Sequence, residues 1–301
     1  MMHFYDLSGV VPGRTRIAFG SFDGMHIGHQ AVIKKLHGYE GLTPVVVSFS
    51  DEVNPIIYSE CEKEYLLKKG HQVSVMISLS QAKVDAMTGE EFVRKVLVSK
   101  LQMASVVVGE NVCFGSDKAG VEVLQKLGAE LGFDVDVVPT VCYEGKPVST
   151  DDIKQAIVDG DFDKMTALLG HTYIMQGTVV HGKAAGRKHG MPTANLGVAE
   201  NKLFPPHGVY ATLSCMEGTF FRGMTNIGLR PSDDDIPIAT IETWLMNFSR
   251  DIYGKRITLK VYKYIRGVVK FANLDEVRKQ IDKDVLQISE FMDDLVAKMK
   301  D

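Results

Sequence analysis

The chain has 301 residues, 45% of them hydrophobic and 24% charged, enough for two ordinary domains with sizeable cores. A formal net charge of -4 provides no global field for nucleic acid or an anionic membrane, so any phosphate binding must be local. The apolar runs are only strand-length, which argues against a membrane span, and the opening MMHFYDLSG lacks a basic segment followed by an apolar stretch.

Up to about residue 145, short β-rich runs alternate with helix-like segments. The runs are RIAFG (16–20), TPVVVSF (43–49), VSVMISL (73–79), ASVVVG (104–109) and FDVDVVPTV (133–141). Helices are expected over 29–36 and 89–101, the second opened by the capping pattern of Thr88 and Glu91. This alternation predicts a parallel sheet covered on both faces, with ligands at the carboxyl ends of its strands. Residues 150–170 read as two short helices ending at Gly170. Strand-like stretches at 173–181, 208–216, 220–227, 238–246 and 256–264 then follow one another without helices, predicting an antiparallel barrel or sandwich. A last helix carries a cap pattern at Asn273 and Glu276 and an apolar stripe of Val277, Ile281, Val285, Ile288, Phe291, Met292 and Leu295. The change of rhythm divides the chain into expected domains of residues 1–170 and 171–301. Cys61, Cys113, Cys142 and Cys215 lack metal-ligand spacing and read as ordinary reduced residues of a cytoplasmic protein.

After the first apolar run comes GSFDGMHIGHQ. Gly20 and Gly24 permit a tight turn and close backbone approach. The helix that follows aims its free N–H groups at the same spot, which attracts anions. His26 and His29, three apart, share one face beside it and could donate to phosphate oxygens as charge builds during phosphoryl or nucleotidyl transfer. With Gly20, Phe22, Asp23 and Gly24 in place, a nucleotide site outweighs a surface histidine pair at a helix cap.

This stretch resembles the signature of the nucleotidyltransferase superfamily. In its FDG form it is similar to the N-terminal domain of prokaryotic bifunctional riboflavin kinase/FMN adenylyltransferases, also called FAD synthetases. EKEYLLKKG, TGEEFV and VVVGENVCFGSDKAG extend the resemblance. It implies a Rossmann-like α/β domain that transfers AMP from ATP to FMN. Gly20, Phe22, Asp23, His26, His29, Asn111, Ser149 and Thr150 are its implied nucleotide contacts. Two departures stand out. The segment that in the family reads close to ISSTRIR is here VSTDDIK, with Asp152 in place of an arginine and Asp151 in place of a hydroxyl. At an effective dielectric near 20, a unit pair about 4 Å apart is worth roughly 4 kcal/mol, so such a reversal would weaken a phosphate site. Ser149 as N-cap with Asp151 and Asp152 in the first turn is equally a good helix start. The turn after the second run reads FSDEVNP and lacks the histidine common in the family.

The second half contains GTVVHGKAAGRKHGMPTAN. Gly182, Gly186 and Gly190 expose backbone N–H groups, and Lys183, Arg187 and Lys188 supply positive charge for phosphates. Thr193 and Asn195 offer hard oxygen ligands suited to Mg²⁺. The segment closely resembles riboflavin kinase, and the match continues through GVYA, TNIGLRPS and DIYGK. It implies a six-stranded antiparallel β-barrel with a C-terminal helix, converting riboflavin and ATP into FMN and ADP with Mg²⁺. Gly182, Lys183 and Gly186 would surround the ATP phosphates, with Thr193 and Asn195 holding Mg²⁺ and ATP. IETWLMNF matches the family segment carrying the base, which assigns Glu242 as the acceptor of the ribityl hydroxyl proton. Trp244 and Asn247 replace residues that are often His and Asp in the family.

The expected function is therefore riboflavin kinase joined to an adenylyltransferase-like domain whose activity is reduced or left open by these departures. The alternatives are a fully bifunctional enzyme making FMN and FAD, and a non-catalytic flavin or nucleotide sensor. Expected partners are small molecules only (riboflavin, FMN and ATP), without nucleic acid or membrane, because the basic residues form no stripe interleaved with aromatics.

Overall fold

A computed structural model describes residues 1–7, 13–71, 73–182, 191–230, 238–269 and 271–298. The chain divides into two compact units. One comprises Met1–Ile153 with Ala167–Gly170, the other Lys154–Thr166 with His171–Asp301.

The first unit is built on six parallel strands, β1 (Met2–Phe4), β2 (Thr15–Gly20), β3 (Thr43–Ser50), β4 (Val75–Ser80), β5 (Met103–Gly109) and β6 (Asp134–Val138), in the order β1-β4-β3-β2-β5-β6. Every neighbouring pair is parallel. The β-branched runs that predicted β2 to β5 are buried almost throughout, as strands covered on both faces require. The order reverses between β2 and β5, which opens a crevice at their carboxyl ends. Helix α1 (Ile27–Lys34) leaves β2 there. Helix α2 (Glu60–Gly70) starts with a capping box, Ser59 and Glu62 each bonding the other's backbone N–H. A short α3 (Gln81–Asp85) follows β4. The helix expected over 89–101 begins as one α-turn, α4 (Gly89–Glu91), on the predicted Thr88–Glu91 capping box, and continues as a π-helix over Phe92–Val98. Helix α5 (Val121–Leu131) ends on Gly132 in the left-handed region. Phe19 anchors one core face, with ring centroids 5.0 Å from Phe114 and 5.6 Å from Phe92. A hairpin of β7 (Cys142–Tyr143) and β8 (Lys146–Pro147) precedes α6 (Thr150–Asp159) and α7 (Phe162–Leu169), the two short helices expected before Gly170, most of whose residues fall in the second unit.

The second unit is a closed antiparallel barrel. Its strands are β9 (Ile174–Val180), β10 (Thr193–Gly197), β11 (Gly208–Met216), β12 (Thr219–Arg230), β13 (Ile238–Leu245) and β14 (Arg256–Arg266), in the order β10-β13-β12-β11-β14-β9. Five were legible from the alternation of the sequence; the sixth, β10, carries the PTAN residues. Helix α8 (Leu274–Lys298) starts where Asn273 Oδ1 accepts the Glu276 N–H at 3.0 Å. Its stripe packs Ile288 and Met292 against Ala211, with Met224, Met246 and Tyr262 around them. Among the described residues no helix is long and apolar enough to cross a membrane.

Candidate functional site

The crevice of the first unit holds a cavity of about 290 Å³ at the ends of β2, β5 and β6. Gly20, Phe22, His26, His29 and Asn111 line it, so five of the eight residues expected there come together. The backbone between β2 and α1 is tightly wound. Phe22 and Met25 are left-handed at φ 46° and 47°, a conformation uncommon for residues with a Cβ, and Gly24 has φ 81°. Asp23 is buried beneath this turn, its Oδ1 accepting the N–H groups of Ile57 and Tyr58 at 2.9 Å each. It shapes the loop and does not line the cavity.

His26 is the N-cap of α1, and its Nδ1 accepts the backbone N–H of His29 at 3.3 Å. That bond fixes Nε2 as the protonated nitrogen of the neutral ring, the one able to donate outward. The two imidazoles stack at 3.6 Å, and Phe22 meets His29 edge-on at 5.3 Å. Burial pushes the His26 pKa down to about 4, although Asp23 pulls the other way. Burial, with the nearby charges of His26 and Lys63, holds His29 well below the ordinary imidazole range. His29 Nδ1 is buried with no hydrogen-bond partner among the described residues. Asn111 donates to Thr140 Oγ1 at 2.8 Å, which fixes its amide at the cavity rim.

Ser149 and Thr150 sit at the start of α6 and do not line the cavity, although Val148 does. Thr150 Oγ1 donates to the Asp23 carbonyl at 3.4 Å. Ser149 Oγ donates to Asp152 Oδ2 at 2.6 Å and accepts the Asp152 N–H at 3.1 Å. Asp152 is thus bound into the first turn of its own helix, and neither it nor Asp151 lines the cavity. These bonds are those of a helix start, the second of the two readings open to this acidic segment.

In the barrel, pairing sets the site. Asn195 on β10 lies directly opposite Glu242 on β13, and Glu242 lies opposite Asn226 on β12. Ala194, Leu196, Ile241, Thr243 and Leu245 are buried, so by alternation Thr193, Asn195, Glu242 and Trp244 share the other face of the strands. Gly182 closes on this row: a Cβ there would fall 2.3 Å from Asn195 Nδ2, so only glycine fits without displacement. Beside it lies a cavity of about 500 Å³ lined by Thr193, Leu245, Phe248, Arg250, Asp251 and Tyr253, among others. Glu242 is not among its lining residues and stands two residues along β13 from Trp244, the partner of Thr193. His181 stacks on Tyr253 at 3.8 Å beside the same cavity. Lys183 and Gly186 lie outside the described residues. Asn247, at φ 57°, occupies a left-handed turn position that asparagine and aspartate both tolerate, so the backbone permits the departure at this position without explaining it.

Sequence reasoning did not single out Asn226, although it lies inside the TNIG match, nor Lys63, inside EKEYLLKKG. Lys63 is buried beneath the first cavity's loop.

Fold and site together define a two-domain protein that joins a nucleotidyltransferase-type α/β domain to a riboflavin-kinase-type barrel. A family model described as FAD synthetase matches residues 11–152, and one described as riboflavin kinase matches residues 169–292. The chain is 32% identical to a bifunctional riboflavin kinase/FMN adenylyltransferase of Escherichia coli K12, over 91% of this chain and 92% of that one. It is 30% identical to a protein of the same description from Listeria monocytogenes, over 89% of each. It also superposes on a solved structure described as a macrolide-efflux protein from Streptococcus pneumoniae, with TM-score 0.76 and 28% identity, over 94% of this chain and 96% of that one. The chain belongs to the bifunctional riboflavin kinase/FMN adenylyltransferase family. The FAD synthetase match over residues 11–152 and the bifunctional description of the relatives back the fully bifunctional alternative better than the expectation of a weakened adenylyltransferase.

Proposed function

We propose that the chain makes FMN from riboflavin and ATP in the barrel, and FAD from FMN and a second ATP in the α/β domain, with the working boundary at residues 170/171. The observation that carries the kinase reading is the row Asn195–Glu242–Asn226 with Gly182 closed against it. A carboxylate flanked by two amides, beside a glycine backbone, suits proton removal from an alcohol next to a polyphosphate. Glu242 accepts the ribityl hydroxyl proton, and the backbone at Gly182 approaches the phosphates. Thr193 and Asn195 present a hydroxyl and an amide oxygen on one face, neutral hard donors that fit Mg²⁺ shared with phosphate oxygens rather than a site made by protein alone. Bound there, Mg²⁺ would neutralise phosphoryl charge.

For adenylyl transfer, His26 and His29 act as neutral donors at the N-terminus of α1, with His26 Nε2–H directed to phosphate oxygens. Asn111 fixes the cavity rim. Asp23 and Thr150 support the loop that presents these groups, and Ser149 starts the helix that carries Thr150. The reaction joins the FMN phosphate to the AMP unit of ATP and releases pyrophosphate.

A product assay tests the reading. Riboflavin with ATP and Mg²⁺ should give FMN and then FAD, and FMN with ATP and Mg²⁺ should give FAD directly. Bound but unchanged flavin in both reactions would instead identify a sensor.

A further inference from the structure

Lys63 is 3% exposed, an unusual place for an ammonium group. Its Nζ donates to Glu60 Oε1 at 2.7 Å, Ser48 Oγ at 3.1 Å and the Ser21 carbonyl at 2.6 Å, which uses all three of its N–H bonds. Burial works against ionisation of Glu60, yet Lys63 and the Ser78 and Ser48 hydroxyls hold its carboxyl below the ordinary value. Ser78 is held in turn by His3 at 2.8 Å, which ties the network to the sheet edge. A buried lysine needs a counter-charge, and Glu60 supplies it. The bond to Ser21 is not needed for neutralisation. It reaches the residue just before left-handed Phe22, in the loop that lines the nucleotide cavity.

We propose that Lys63 is a positioning residue for adenylyl transfer: through the Ser21 carbonyl it locks the loop that sets Phe22, His26 and His29 around the nucleotide. The assignment rests on the adenylyltransferase reading of the first domain. Two observations support a catalytic purpose. The strained turn needs an external restraint to hold its geometry. The Lys63 charge also lies close enough to help keep the His29 ring neutral.

The test uses the full chain with three proteins: wild type, Lys63→Met, and Glu60→Gln/Lys63→Met. The double variant removes both charges together, so it leaves no buried unpaired ion. Each is assayed for kcat and KM in FAD formation from FMN and ATP, for FMN formation from riboflavin, and for thermal unfolding. Both variants should lose at least tenfold in adenylylation kcat, towards the roughly 100-fold that a 1 Å misplacement can cause. Their KM values for FMN and ATP should stay within about threefold, and their kinase activity should be unchanged. The proposal is overturned if kcat holds within about twofold in the double variant, or if the loss lies in KM instead. It is also overturned if both variants fail to fold the first domain, since Lys63 would then be purely structural. A wild type that makes no FAD overturns the adenylyltransferase reading and the proposal with it; an active wild type with unaffected variants overturns the proposal alone.

Discussion

Asn195 and Glu242 face each other across the β10–β13 ladder, and Gly182 packs against Asn195 so closely that a methyl group there would fall 2.3 Å from its Nδ2. Gly182, the PTAN residues and the carboxylate are thereby brought together by strand register and close packing.

The first prediction follows from that packing. Gly182→Ala forces the Asn195 side chain aside. The kcat/KM for riboflavin phosphorylation should fall at least tenfold, about 1.4 kcal/mol of transition-state stabilisation. Steady-state FMN formation checks this, with FAD formation from FMN as the internal control.

A second prediction concerns pH. The ring of His26 titrates near 6.5 when unfolded, but burial lowers it to about 4 in the fold. Between these values the unfolded chain binds more protons than the native one, so stability rises with pH through this window. The contribution is fully present above pH 6.5 and lost as pH falls towards 4, a difference of about 3 kcal/mol. Thermal unfolding from pH 7 to pH 4 should therefore show a smaller decline in His26→Asn, which keeps an N-cap acceptor, than in wild type. Equal declines would contradict the burial account.

A third prediction addresses the acidic pair at α6. Because the Asp152 carboxylate accepts the hydroxyl of the capping Ser149 and sits in the first turn of its own helix, Asp152→Ala should leave FAD formation within about threefold while lowering stability by about 0.3–1 kcal/mol. A tenfold or larger gain in FAD formation would mean that the carboxylate repels the nucleotide after all.

A fourth concerns the barrel's covering helix. Ile288 is fully buried against Ala211 and Met292. Truncation to alanine should cost about 2–5 kcal/mol, measured by denaturant unfolding.

How far the sequence could be read depended on whether the deciding forces were local. The core strands of the first unit were legible because short β-branched runs such as Val45–Val47 and Val106–Val108, alternating with helix-like segments, suit a sheet buried on both faces. The caps at Thr88, Ser149 and Asn273 were legible because a cap is a short-range bond. Strand β10 escaped the pattern: TANLG has little β-propensity and is held by its pairing with β9 and β13. Asp152 was ambiguous because one carboxylate can serve a helix start and spoil a phosphate site at once, and only the fold shows it bonded to Ser149. Lys63 sits in a run with three other charged residues that reads as a solvated helix face, and only the tertiary fold buries it. Conversely, Gly182, Thr193 and Asn195 were legible from their chemistry but Glu242 only through resemblance, and the ladder register supplies the physical reason that these distant residues belong together.

The most direct measurement separates the two reactions within one chain. Glu242→Gln keeps the shape of the side chain and removes its basicity, and a general base of this kind is worth about 10²–10⁴-fold in rate. Given riboflavin, ATP and Mg²⁺, this variant should form FMN at least about 100-fold more slowly than wild type. Given FMN, ATP and Mg²⁺, it should form FAD at the wild-type rate. FMN formation by the variant at the wild-type rate, or no FAD from FMN in either protein, would contradict the account.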